Sequence, residues 1–193
     1  MMEVQPIRDR KIIDKIKELM STDGKSKELL LFTIGINSAL RISDILRLKW
    51  GDLKGDTIKI KEKKTGKWKE FPITPSVRKV LDEEFYNWRE NRDDEFIFTS
   101  ESNRNHGNVW SRQYVWLFLN EYAKKAGWSE PVGTHTMRKT WGYHAHQAGY
   151  PLELIQKALN HSSPAITLRY IGITDNRFLA LIWPFLCRNN EIN

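Results

Sequence analysis

At 193 residues with 40% hydrophobic content, the chain can bury one substantial core and is short for two full domains. A count of 31 Lys+Arg against 24 Asp+Glu leaves a formal charge of +7, which favours polyanionic partners such as nucleic acid or an acidic membrane surface. The single cysteine, Cys187, excludes an internal disulfide, no apolar run approaches the roughly 20 residues of a membrane span, and the charged start "MMEVQPIRDRK" has no apolar signal core, so a soluble cytoplasmic protein is expected.

Ile7, Ile12, Ile13, Ile16, Leu19 and Met20 recur at helical spacing among charged residues, which predicts an amphipathic first helix interrupted by "STDG". The next stretch, "KSKELLLFTIGINSAL", is apolar nearly all round and reads as a central core helix. Ser43 and Asp44 fit the start of a short third helix, with Ser43 as its cap and Arg41 at the junction. From Asp52 to Thr74 the period falls to two: Ile58 and Ile60 alternate with lysine, Thr65 and Gly66 turn the chain, and Trp68, Phe71 and Ile73 return it. That pattern predicts a small antiparallel sheet with a very basic hairpin. Thr74 before Pro75 opens a helix over 75–91, and a turn-rich stretch, "TSESNRNHGN", precedes a helix over about 111–127. After Pro131 four short helical pieces are expected, broken at Gly149-Tyr150-Pro151, Ser162-Ser163-Pro164 and Gly172.

Several residues in this pattern have two readings. His135 and Arg138, three apart in "THTMRKTWG" with Thr134 as a candidate cap, share a helical face and either address one site or form a solvated basic face. His144 and His146, two apart, do not share a face, and there is no second cysteine or HExxH pattern, so metal catalysis is not supported. Arg41 emerges from apolar surroundings and needs an anion, either Asp44 or Asp52 or a bound phosphate. The hairpin "KIKEKKTGKWKE" carries six lysines in twelve residues, as a solubilising edge or as a finger that follows a phosphate backbone. Tyr170, among Ile166, Leu168 and Ile171, reads as a packed aromatic or as a nucleophile.

In their order along the chain these segments resemble the tyrosine recombinase, or phage integrase, family. "ALRISDILRLKWGDL" matches that family's arginine segment, "KKTGKWKEFPI" its hairpin lysine, "HTMR" its His-x-x-Arg motif and "LNHSSPAITLRY" its last motif. The matches run from about residue 8 to about residue 172. The resemblance implies a mainly helical catalytic domain with a small antiparallel sheet, expected as a single domain over 1–193; family members usually carry a separate N-terminal DNA-binding domain, and its expected absence here departs from that pattern, as a fragment or as a short natural form. It implies a site-specific recombinase or integrase that breaks and rejoins double-stranded DNA through a 3′-phosphotyrosyl bond, without metal or other cofactor. Arg41 and Arg138 would clamp the phosphate with His161, Tyr170 would attack with His135 accepting its proton, Lys64 would protonate the leaving 5′-oxygen, and Asp44 would orient its neighbours.

The family reading also implies a homo-oligomer, tetrameric at synapsis. The segment 173–193, with Phe178, Leu179, Leu181, Ile182, Trp183, Phe185 and Leu186, either passes to a neighbouring protomer or folds back on its own core. Two alternatives keep the fold: a DNA-binding accessory protein that does not recombine, and a type IB topoisomerase-like activity. Two positions depart from the family pattern, Thr136 where acidic residues are common and Asn160 in place of the usual glycine before His161.

Overall fold

The computed structural model describes residues 4–173 except Thr65 and Arg104, so the expected fourth C-terminal helix and the apolar cluster from Phe178 to Leu186 lie outside the described residues. The chain divides into two units, Met1–Trp141 and Gly142–Asn193.

In the first unit, helix α1 (Arg10–Thr22) starts where the Asp9 carboxylate accepts a hydrogen bond from the Lys11 amide at 2.8 Å, and it buries Ile13, Ile16 and Met20. Helix α2 (Ser26–Asn37) is buried on all sides over Glu28–Gly35, as its sequence predicts, and supplies Leu30, Leu31 and Phe32 to the core. Gly35 is required by packing. A Cβ there would lie 2.5 Å from Met137 Sδ and 3.0 Å from Met137 Cβ. The close approach fixes α2 against the segment that carries Arg138.

Helix α3 (Ile42–Ile45) begins two residues earlier than expected. Arg41, in extended conformation, holds the cap position, while Ser43 lies inside the helix and caps nothing. A 3-10 turn follows at Trp50–Leu53, where the Asp52 carboxylate accepts from the Lys49 amide at 2.8 Å. Strands β1 (Thr57–Lys61) and β2 (Trp68–Pro72) form the expected antiparallel hairpin, with Ile58 opposite Phe71 and Ile60 opposite Lys69. This register puts Ile58, Ile60, Lys69 and Phe71 on one face and Lys59, Lys61, Trp68 and Glu70 on the other.

Helix α4 (Pro75–Glu84) has proline at its first turn, as predicted, but ends seven residues before 91. Asn87 takes a left-handed φ of 57°, which turns the chain and lets Trp88 bury against the domain with its indole donating to Asp82. The periodic aromatics Phe85 and Trp88 therefore mark a packed turn instead of a longer helix. Helix α5 (Arg112–Lys125) is capped by the Ser111 hydroxyl, which accepts from the Tyr114 amide at 3.1 Å. The boundary between the units falls within helix α6 (Thr136–Gln147).

In the second unit, α7 (Leu152–Leu159) and α8 (Pro164–Tyr170) follow, with breaks where the sequence places them. Ile155, Leu159 and Ile171 are buried around Gly142, whose absent Cβ would sit 2.7 Å from Ile171 Cγ2. No helix among the described residues is long and apolar enough to cross a membrane.

Candidate active site

Three backbone features position the basic groups of the first unit. The extended Arg41 leaves the end of α2 and points its guanidinium to the hairpin, where Nη1 lies 2.5 Å from Glu62 Oε1. The anion beside Arg41 is thus Glu62, and neither Asp44 nor Asp52 serves as the ion-pair partner expected from sequence. Asp44 is fully buried, and its Oδ1 instead accepts from the backbone amide of Lys63 at 3.0 Å. Two reciprocal bonds therefore tie the α3 segment to the end of β1: Arg41 reaches Glu62, and Asp44 holds Lys63. Lys64, next in the chain, is exposed at the hairpin turn.

Arg138 is buried, and its Nη1 donates to the carbonyl of Ala39, two residues before Arg41. The two arginines are therefore attached to the same short segment. His135 stands just outside α6, not on its face: its carbonyl accepts the Lys139 amide at 2.9 Å, so His135 occupies the cap position that sequence gave to Thr134. Partial burial lowers the His135 pKa, and Arg138, Lys139, Arg41 and Arg112 lower it further by repulsion. These effects favour the neutral ring, the form able to accept a proton. Thr136 is also accounted for, because its hydroxyl oxygen accepts from the Gly133 amide at 3.1 Å, an acceptor's role.

Two residues of this cluster were missed from sequence. Glu62 is only 1% exposed, and Lys69 Nζ approaches it at 3.7 Å. Burial lowers the Lys69 pKa; Glu62 opposes that shift, while Arg138 and Arg41 reinforce it. A signal was available: Glu62 continues the inward alternation of Ile58 and Ile60, and Lys69 stands opposite Ile60. Arg41, Arg138 and Lys69 gather around Glu62 and Asp44, with Lys63 and Lys64 exposed beside them, a net cationic arrangement suited to a phosphodiester. On the outer face of the hairpin Trp68 is 72% exposed, next to Lys61.

In the second unit, α7 ends at Asn160 in the left-handed conformation, φ 51° and ψ 49°. Glycine is the usual residue there and asparagine the next most tolerant, so the departure from the family pattern preserves the turn. The turn presents His161, whose Nδ1 is 3.1 Å from Thr167 Oγ1. Ser163 then caps α8 at the Ile166 amide, with Pro164 in the first turn. Tyr170 is the last residue of α8 and is half-buried, not sunk in the core. Its ring meets that of His161 edge to face, with centroids 4.8 Å apart.

Open clefts also occur among the described residues of the first unit. One of about 890 Å³, lined by Glu28, Trp110 and Tyr114 among others, contains none of the motif residues. Another, about 820 Å³, includes His135 at its edge together with Trp116 and Val132.

Residues 10–177 match the phage integrase family. The chain is 40% identical over 174 residues to a Bacillus subtilis (strain 168) protein named "Probable integrase/recombinase YoeC", covering 90% of this chain and 92% of that one. It is 24% identical over 163 residues to tyrosine recombinase XerA of Pyrococcus horikoshii, covering 83% of this chain but only 55% of that relative's length. Among solved structures, the crystal structure of XerA recombinase superposes with a TM-score of 0.72 at 20% identity, over 95% of this chain and 64% of that one. The mainly helical fold with a small antiparallel sheet is therefore the fold of tyrosine recombinase catalytic domains.

Proposed function

We propose that this chain, which belongs to the phage integrase family, is a site-specific recombinase that cleaves and rejoins double-stranded DNA through a 3′-phosphotyrosyl intermediate. It works through a catalytic domain matched over residues 10–177, on DNA in the cytoplasm, in integration or excision of a mobile element. The observation that carries the reading is the cationic cluster of Arg41, Arg138 and Lys69 beside a hairpin lysine, in a chain that also supplies the complete His161-to-Tyr170 motif.

The chemistry follows from the residue types. A phosphodiester repels nucleophiles, so Arg41 and Arg138 neutralise its nonbridging oxygens and the charge that grows on them in the transition state, with His161 adding a hydrogen bond. The Tyr170 oxygen attacks phosphorus as its proton passes to the neutral His135, and the P–O5′ bond breaks. Lys64 gives a proton to the departing 5′-oxygen. The phosphotyrosyl ester keeps the bond energy, and a 5′-hydroxyl reverses the step without metal or nucleotide. Asp44 acts through the hairpin, by holding Lys63. A homo-oligomer, tetrameric when two sites are paired, exchanges the strands, and 173–193 is the segment proposed to pass between protomers. Recombination is favoured over the accessory and topoisomerase readings by the name of the B. subtilis relative and by the full set of motif residues.

The test is covalent capture from a randomised duplex library carrying a nick a few nucleotides 3′ of each candidate phosphate, so that cleavage releases a short fragment and traps the adduct. Wild type is expected to yield a protein–DNA band stable to denaturant, and Tyr170→Phe to yield none. A Tyr170→Phe protein that still forms the band refutes the assignment.

A further inference from the structure

We propose that Glu62 is a positioning residue of the phosphate clamp, holding the Arg41 guanidinium by one nitrogen and leaving its other N–H groups for the scissile phosphate. This rests on the recombinase reading above and adds to it a residue outside the motif set.

Three features carry it. The bond from Nη1 to Glu62 is the one side-chain hydrogen bond of Arg41 among the described residues, so the rest of the planar fork remains available to an anion. The Glu62 carboxylate is 1% exposed and fixed on the inward face of the hairpin, with Lys69 on it at 3.7 Å. It is therefore a buried partner of Arg41 and not a surface counter-ion that a phosphate displaces. Withdrawing Arg41 would take a charge-assisted bond from a buried carboxylate, which is costly, so the pair persists when DNA binds. Lastly, the next residue, Lys63, is held by Asp44, three positions after Arg41. Glu62 and Asp44 together lock the arginine and the hairpin lysine into one frame, and Glu62 is the half of that lock that touches Arg41.

The experiment compares wild type, Glu62→Gln and Glu62→Ala on the captured nicked duplex. It measures the single-turnover rate of adduct formation at saturating protein, the Kd for the intact duplex, and thermal melting. A misplaced catalytic group slows chemistry far more than it weakens a many-contact DNA complex. Glu62→Ala is expected to form adduct at least about 10-fold more slowly, up to about 100-fold, while Kd changes by less than about threefold. Glu62→Gln, which keeps an oxygen acceptor for Nη1, falls between, and it carries the test if Glu62→Ala does not fold. A Glu62→Gln rate equal to wild type, or faster, overturns the inference, as does a loss that appears equally in affinity. If wild type forms no adduct, the recombinase reading fails and takes this inference with it, a result distinct from an active wild type with an equally active variant.

Discussion

Replacing Asp44 by alanine removes the carboxylate that holds the hairpin at Lys63. The bond is a backbone N–H donating to a buried carboxylate at 3.0 Å, with Asp44 fully buried. Hydrogen bonds to charged groups contribute about 1.5–3 kcal/mol, so the hairpin end should lose about 2 kcal/mol of local stability. At 1.36 kcal/mol per factor of ten, the Lys63 amide should exchange with solvent about 30-fold faster. Global stability should fall by less, because Asp44 Oδ2 is buried without a hydrogen-bond partner and its removal relieves that desolvation. Hydrogen exchange resolved at Lys63 reads the local term, and a melting curve reads the global one. The chemistry gives a second check. If the strap places Lys64 against the leaving oxygen, a substrate with sulfur at the bridging 5′ position, whose thiolate leaves without a proton, should restore most of the lost rate. Unchanged exchange at Lys63 in Asp44→Ala would refute the strap, and a sulfur substrate that is equally slow would refute its link to Lys64.

Three further outcomes follow from the geometry. Gly35→Ala forces a Cβ to within 2.5 Å of Met137 Sδ and should destabilise by about 1–3 kcal/mol, seen as a lower melting temperature, and Gly35→Ala with Met137→Ala should lose less than the sum of the two. At Asn160, φ 51°, glycine should be tolerated and valine should lower stability by about 1–2 kcal/mol; equal melting of the two variants would show that the left-handed turn is not required. The lowered pKa of His135 sets a pH dependence: an ordinary histidine is half protonated near pH 6.5, so the second-order rate of adduct formation should stay level through pH 6.5 and fall only below it, and a rate already halved at pH 6.5 would remove His135 as the proton acceptor.

The elements readable in the sequence were those whose periodicity reports burial directly. α1, the all-round apolar α2 and the alternating hairpin fall where pattern puts them, because in each the spacing of apolar residues follows the buried face: helical in α1, continuous in α2 and every second residue in the hairpin. α4 was overextended because Phe85 and Trp88 keep helical spacing while Asn87 turns the backbone, and aromatic spacing alone does not distinguish a helix from a packed turn. Ser43 looked like a cap, but α3 starts at Ile42 because Arg41 takes the extended conformation that sends its side chain to Glu62. The same tertiary contact explains why the sequence offers nearby aspartates, or a bound phosphate, as the anion beside Arg41 and does not point to Glu62. Sequence proximity favours Asp44, whereas the hairpin brings in a carboxylate 21 positions away. Glu62 and Lys69 were overlooked because charged residues in a lysine-rich strand read as solvated; only their place in the two-residue alternation shows that they face inward. The motif residues stand out in the sequence because the proposed reaction demands particular side chains at particular places along the chain, whatever packs around them.

Whether Tyr170 carries the DNA strand is decided by mapping the covalent bond. The captured adduct should be digested with protease and nuclease, and the nucleotide-bearing peptide sequenced by mass spectrometry. A single modified residue is expected, Tyr170, linked to a 3′-phosphate, with a free 5′-hydroxyl on the released strand. A nucleotide found on another tyrosine, for example the exposed Tyr86 or Tyr150, or joined through a 5′-phosphate, would contradict it.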